Sequence, residues 1–92
     1  MTIVKKDGTV TFEFDHDTKD KVYLAGDFNH WNYLKTPLTK TTKGKWRVTI
    51  KLTPGEHQFR YVCNNNWYND STADKYANNG YGSENSVVIV NN

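Results

Sequence analysis

Lys45-Trp46-Arg47-Val48-Thr49-Ile50-Lys51-Leu52 is the stretch on which the fold turns. Trp46, Val48, Ile50 and Leu52 take alternate positions, and Lys45, Arg47, Thr49 and Lys51 fill the gaps. A period of two puts the apolar set on one side of a pleated strand and the polar set on the other, so one face meets a core and the other meets water. Thr53-Pro54-Gly55 has the composition of a tight turn. Glu56 to Cys63 then returns with His57, Phe59, Tyr61 and Cys63 on one face and Gln58, Arg60 and Val62 facing outward. The expected unit is a hairpin in which these two strands pair.

Working outward, Asn64-Asn65-Asn66 suits a second tight turn because asparagine tolerates positive φ, and Trp67-Tyr68 begins a short strand after it. Upstream, Val10, Phe12 and Phe14 alternate with Thr9, Thr11 and Glu13 inside a strand from Gly8 to Asp15, and Lys21 to Gly26 forms the next. Proline in Pro37-Leu38-Thr39 points to an edge or a strand start, and Lys40 to Gly44 is a turn. Downstream, Asn69 to Glu84 is a polar run of 16 residues without periodicity, long for a connection and hence a candidate functional loop. Ser86 to Val90 closes the chain as a buried strand. With no helical periodicity, no repeat and short strands at sandwich-like spacing, the fold class is an all-β sandwich.

Ninety-two residues support one core, so residues 1–92 read as a single domain. A hydrophobic fraction of 36% is low, but 14% aromatic residues supply enough buried area per side chain for a folded state. A net charge of +2 is too small to imply nucleic acid, and no apolar run approaches the roughly 20 residues of a membrane span. Without an apolar leader, and with Cys63 as the lone cysteine, a cytoplasmic protein without disulfides is expected.

Few side chains suit catalysis. Glycoside hydrolysis needs two carboxylates about 5–9.5 Å apart in a cleft, whereas Asp15, Asp17, Asp20, Asp70, Asp74 and Glu84 fall in loops or on outward faces. His16, His30 and His57 lack the spacing that sets two imidazoles on one ion, so neither a metal nor a cofactor is expected. Ser71, Ser83 and Ser86 have no nucleophile-elbow context. Cys63 falls on the core face and reads as a small buried hydrophobe. Lys40, Lys43, Lys45, Arg47 and Lys51 alternate with core residues as any solvated strand face does.

The tryptophans say more. Trp46 keeps strict alternation with Val48, Ile50 and Leu52 and belongs to the core. Trp31 sits in the strand-end loop Gly26-Asp27-Phe28-Asn29-His30-Trp31-Asn32, and Trp67 follows a three-asparagine turn. No hydrophobic face places either one. They fold into the ends of the sandwich or they wait for a ligand. With Arg60 facing outward on the strand between them, two indoles, a guanidinium and a polar loop would make a platform suited to sugars, whose C–H faces pack on flat rings while their hydroxyls need donors and acceptors.

The ordered set Val22-Tyr23-Leu24-Ala25-Gly26-Asp27-Phe28-Asn29-His30-Trp31, Pro37-Leu38, Trp46, Leu52-Thr53-Pro54-Gly55-Glu56-His57-Gln58-Phe59-Arg60-Tyr61, Trp67, Asp70 and Gly82-Ser83-Glu84-Asn85-Ser86-Val87-Val88 resembles carbohydrate-binding module family 48. These are the glycogen- and starch-binding modules of early-set type, and the likeness covers about residues 22–90. It implies an immunoglobulin-like antiparallel β-sandwich and non-catalytic binding of α-1,4-glucans: glycogen, starch, malto-oligosaccharides or cyclodextrins. By position, Trp31 and Trp67 match the two family tryptophans that stack on glucose. Arg60 stands where a lysine bonds sugar hydroxyls. Aligning Gly82 and Asn85 gives Tyr81, Ser83 and Asn85 the roles of a ligand-threading residue, a hydroxyl and an amide. The departures are Tyr81 for an aliphatic residue, Asn64-Asn65 for the usual Asp-Gly, and arginine for lysine at 60, which keeps the charge and changes the hydrogen-bond geometry. The likeness also implies a second kind of partner, a kinase complex or a glucan-active catalytic domain, for which Val62 together with an outward-facing residue of the last strand is the one hint.

Overall fold

The strand beginning at Trp46 and the strand ending at Cys63 do not pair. In the computed structural model, which describes residues 1–80 and 82–91, the chain forms β1 (Thr2–Val4), β2 (Thr9–Phe14), β3 (Val22–Gly26), β4 (Thr39–Lys40), β5 (Trp46–Lys51), β6 (Gly55–Cys63), β7 (Asn66–Tyr68), β8 (Lys75–Asn78) and β9 (Glu84–Val90). One antiparallel sheet has the order β1-β2-β5-β4, and the other has β3-β6-β9-β8 with β7 on the free part of β6. β5 and β6 therefore lie in opposite sheets, and Thr53-Pro54 carries the chain from one to the other. The hairpin expectation is overturned. The alternation does mark the buried face, but an apolar face can be buried by a facing sheet as well as by a hairpin partner, and in an immunoglobulin-like sandwich the facing sheet takes it.

Both sheets contribute to one core. Val10 and Phe12 of β2 and Trp46 of β5 meet Val22 and Leu24 of β3, Phe59, Tyr61 and Cys63 of β6, and Val88 and Val90 of β9. Phe59 stands edge-on to Phe12 at 4.9 Å, and Phe14 stacks on Tyr61 at 4.5 Å. Trp46 and Cys63 are buried, as the strand parity required. At the β6–β7 junction Asn64 and Asn65 both adopt left-handed backbone (φ 52° and 63°), the conformation of a tight two-residue hairpin turn. Pro37 lies at an edge: it bridges to Tyr23, while Leu24 donates to the Thr36 carbonyl and Leu38 to that of Val22. Among the described residues no helix is long and apolar enough to cross a membrane.

Three local features differ from the sequence reading. The segment 69–84 contains β8, paired with β9 from Lys75↔Val87 to Asn78↔Glu84. As an edge strand exposed on both faces it carries no alternation to read. Thr2–Val4 pairs with β2 and was not anticipated as a strand. Val62 faces outward, yet it is only 2% exposed. Its cross-strand neighbours Tyr23 and Trp67 are large enough to cover it, so it offers no apolar patch to a docking partner.

On the outer face of the first sheet, Glu13 is 6% exposed and sits opposite Arg47 in register. Arg47 Nε donates to its carboxylate at 3.2 Å, and Lys45 Nζ lies 3.4 Å away. The Arg47 hydrogen bond holds the Glu13 carboxyl below its ordinary value. Asp70 is buried and also lowered: burial pushes it up, but the Met1 ammonium and the Thr72 amide and hydroxyl outweigh that. A carboxyl lowered on folding adds stability above its unfolded pKa and loses it as pH falls toward the folded value. The urea midpoint should therefore fall as pH drops below about 4.5, the ordinary glutamate value. Glu13→Gln should flatten that limb, and a variant as acid-sensitive as the parent would refute the assignment to Glu13.

Candidate functional site

At the end of β3 the backbone runs close to β6 and to its own next turn. A Cβ on Gly26 would stand 2.4 Å from the Phe28 ring and 2.8 Å from the Gln58 carbonyl oxygen, so only glycine fits. A 3₁₀ turn over Asp27–Asn29 follows. Asp27 ties it to β6, its carboxylate accepting from the Gln58 N–H at 2.9 Å and lying 3.3 Å from His57 Nδ1. Phe28 turns inward to within 5.7 Å of Phe12. Asn29 is buried and works as a clamp: Oδ1 accepts from the Gly26 N–H at 3.0 Å, and Nδ2 donates to the Leu24 carbonyl at 2.9 Å and the Thr36 hydroxyl at 3.0 Å.

The clamp holds an unusual backbone. His30 and Trp31 are both left-handed, with φ of 56° and 60°, and the Trp31 N–H returns to the Gly26 carbonyl at 2.8 Å. Each such residue costs about 1–3 kcal/mol and persists only where neighbours enforce it. The result is a half-buried indole presented at the rim of the second sheet.

Trp67 arrives from β7, opposite Val62, and is 42% exposed. Tyr33 braces it edge-on at 5.9 Å, and Tyr23 in turn meets Tyr33 at 5.4 Å. Arg60 projects from β6 on the same face. Its Nε donates to the Glu84 carbonyl at 3.1 Å, and Nη2 donates to that carbonyl and to the Ser83 hydroxyl at 3.0 Å. Asn79 donates to the same hydroxyl at 2.6 Å. Asn85 is buried and donates to Gln58 Oε1 at 2.9 Å.

Together Trp31, Gln58, Arg60, Trp67, Asn78, Asn79 and Asn85 line an open cleft of about 620 Å³. The lining holds indoles, amides and one guanidinium, with no carboxylate among the described residues. Such a cleft offers stacking faces and a fixed set of donors and acceptors, which is recognition chemistry for a neutral polyhydroxy ligand.

A family model described as "Glycogen recognition site of AMP-activated protein kinase" matches residues 9–92. The chain belongs to this glycogen-recognition family. Two curated relatives are more distant: Protein FLOURY ENDOSPERM 6, chloroplastic, of Oryza sativa subsp. japonica is 26% identical over 76% of the chain, and Protein PTST homolog 2, chloroplastic, of Arabidopsis thaliana is 24% identical over 80%. The matched segment spans 13% of the length of each. Membership of the glycogen-recognition family makes this a carbohydrate-binding domain type, in keeping with the resemblance drawn from the sequence.

Within this glycogen-recognition fold, four residues singled out from the sequence, Trp31, Trp67, Arg60 and Asn85, line one cleft. Ser83 stands behind it, its hydroxyl engaged by Arg60 and Asn79. Tyr81 lies outside the described residues. Gln58, Asn78 and Asn79 also line the cleft and were not foreseen as site residues. Strand parity could have found Gln58, which shares the outward face of β6 with Arg60. Asn78 and Asn79 depended on recognising β8.

Proposed function

We propose that the 92-residue chain is one non-catalytic domain that binds α-1,4-glucans, the glycogen and starch class together with malto-oligosaccharides and cyclodextrins. Trp31 and Trp67 stack on consecutive glucose units. Arg60, Asn85 and Ser83 serve the 2- and 3-hydroxyls, and Tyr81 adds a stacking ring. The observation that carries this reading is the convergence of Trp31 and Trp67 on one cleft from separate elements, with Arg60 as its one charged member among the described residues. An α-1,4 chain curves and presents successive rings to two separated indoles, whereas a flat β-1,4 chain does not wrap them. Arg60 acts here from a fixed position, since its bonds to the 83–84 backbone and hydroxyl set its plane before any ligand arrives. Ser83 also holds Arg60, whose Nη2 donates to its hydroxyl. We keep the cytoplasm as the proposed compartment; the two relatives are named as chloroplastic proteins. Docking on a kinase or a catalytic domain is the second reading; of its hint, Val62 is covered.

The site is shallow and wet, so an affinity of roughly 10 µM to 1 mM is expected, about −4 to −7 kcal/mol. Titrating maltoheptaose or β-cyclodextrin while following tryptophan fluorescence tests it. A saturable change supports the reading, and none up to several millimolar ligand would sink it.

A further inference from the structure

The cleft shares one wall with a second hollow. Trp67 belongs to the first, and Tyr33, which touches Trp67 edge-on at 5.9 Å, belongs to the second. This hollow measures about 370 Å³; Tyr23, Tyr33 and Leu34 supply its apolar surface, and Lys21 and Asn65 stand among its polar members. Leu34 is 65% exposed, above every other exposed large hydrophobic residue described. It is not stranded there by a loose loop. It lies within a 3₁₀ turn over Tyr33–Lys35, and its N–H donates to the Asn32 side chain at 3.3 Å. Asp20, also at the hollow, accepts from Asn64 Nδ2 at 2.7 Å, so its charge is already partnered on the protein.

An apolar surface beside amide and ammonium groups repeats the chemistry of the cleft. A sugar chain stacked on Trp67 that continues past the Tyr33 edge meets Tyr33, Leu34 and Asn65 next. We infer that this hollow is a second subsite for the same α-glucan chain, occupied only when the chain is longer than the cleft accommodates. The inference rests on reading the cleft as a glucan site. Its occupant is a continuation of that ligand, because the hollow joins the cleft through the Trp67–Tyr33 contact and Asp20, the one acidic group among its described residues, is engaged within the protein.

The test is calorimetric titration of the full chain with maltotriose and with maltoheptaose, comparing parent, Leu34→Asp and Asn65→Gly. Leu34 is too exposed for its replacement to threaten folding, and glycine adopts the φ of 63° at position 65 without strain. Both variants should bind maltotriose within about twofold of the parent and lose about 3- to 10-fold on maltoheptaose, the effect of uncovering part of one leucine or losing one rim contact. If both keep the parent's ratio of the two affinities, the second subsite is wrong while the cleft reading stands. If the parent binds neither sugar, the cleft reading falls and takes this inference with it.

Discussion

Replacing Trp67 by alanine should weaken maltoheptaose binding by about 10- to 100-fold, or about 1.4–2.8 kcal/mol, while leaving the urea midpoint nearly unchanged. The two halves of that expectation have separate causes. Stacking a glucose face on an indole removes apolar area from water on both partners, and alanine offers almost none of that area. The indole is 42% exposed and stands on the side of the second sheet away from the core, so its loss opens no internal cavity. The neighbours that lose contact are Tyr33, edge-on at 5.9 Å, and Val62, which becomes more exposed. Trp31→Ala should act in the same direction on binding. Titration by calorimetry, together with urea unfolding of the same samples, separates affinity from folding. Should both variants bind as the parent does, the cleft is not where the sugar sits, whatever the family.

How much of this was legible in the sequence depends on where each signal lives. Trp46 and Phe59 could be assigned to the core because alternation reports which side of a strand is buried. The same alternation does not say which strand lies alongside, so it fits a β5–β6 hairpin as well as the facing sheets in which the two strands lie. Asn64 and Asn65 announced their turn because the left-handed conformation is a property of the residue itself. Lys75–Asn78 announced nothing, since an edge strand exposed on both faces owes its conformation to its partner β9. Within the site, Trp31, Trp67 and Arg60 stood out as residues that no core pattern explained. Gln58, Asn78 and Asn79 were hidden because an amide on a strand or in a turn looks the same whether it faces a ligand or only water.

Asn29→Ala should destabilise the fold by about 2–4 kcal/mol, since the alanine leaves the buried Gly26 N–H and Leu24 carbonyl without their side-chain partner and each such loss costs about 1–3 kcal/mol. The larger consequence is local. The amide spans the loop, joining its start at Leu24 and Gly26 to its far end at Thr36. Between those anchors lie His30 and Trp31 in left-handed conformations, which relax toward ordinary backbone once the clamp is gone. Affinity for maltoheptaose should then fall by about 10-fold or more even at temperatures where circular dichroism shows the variant fully folded, because a misplacement of Trp31 by about an ångström forfeits the stack. Asn29→Asp separates the two roles: it keeps an acceptor for the Gly26 N–H but sets an acceptor against the Leu24 carbonyl, so it should be no better than alanine. Thr36→Val removes only the outer anchor and should cost about 0.5–1.5 kcal/mol with a smaller loss of affinity. If Asn29→Ala loses stability yet binds maltoheptaose as tightly as the parent when folded, Trp31 is positioned by the 3₁₀ turn and the Phe28 anchor alone.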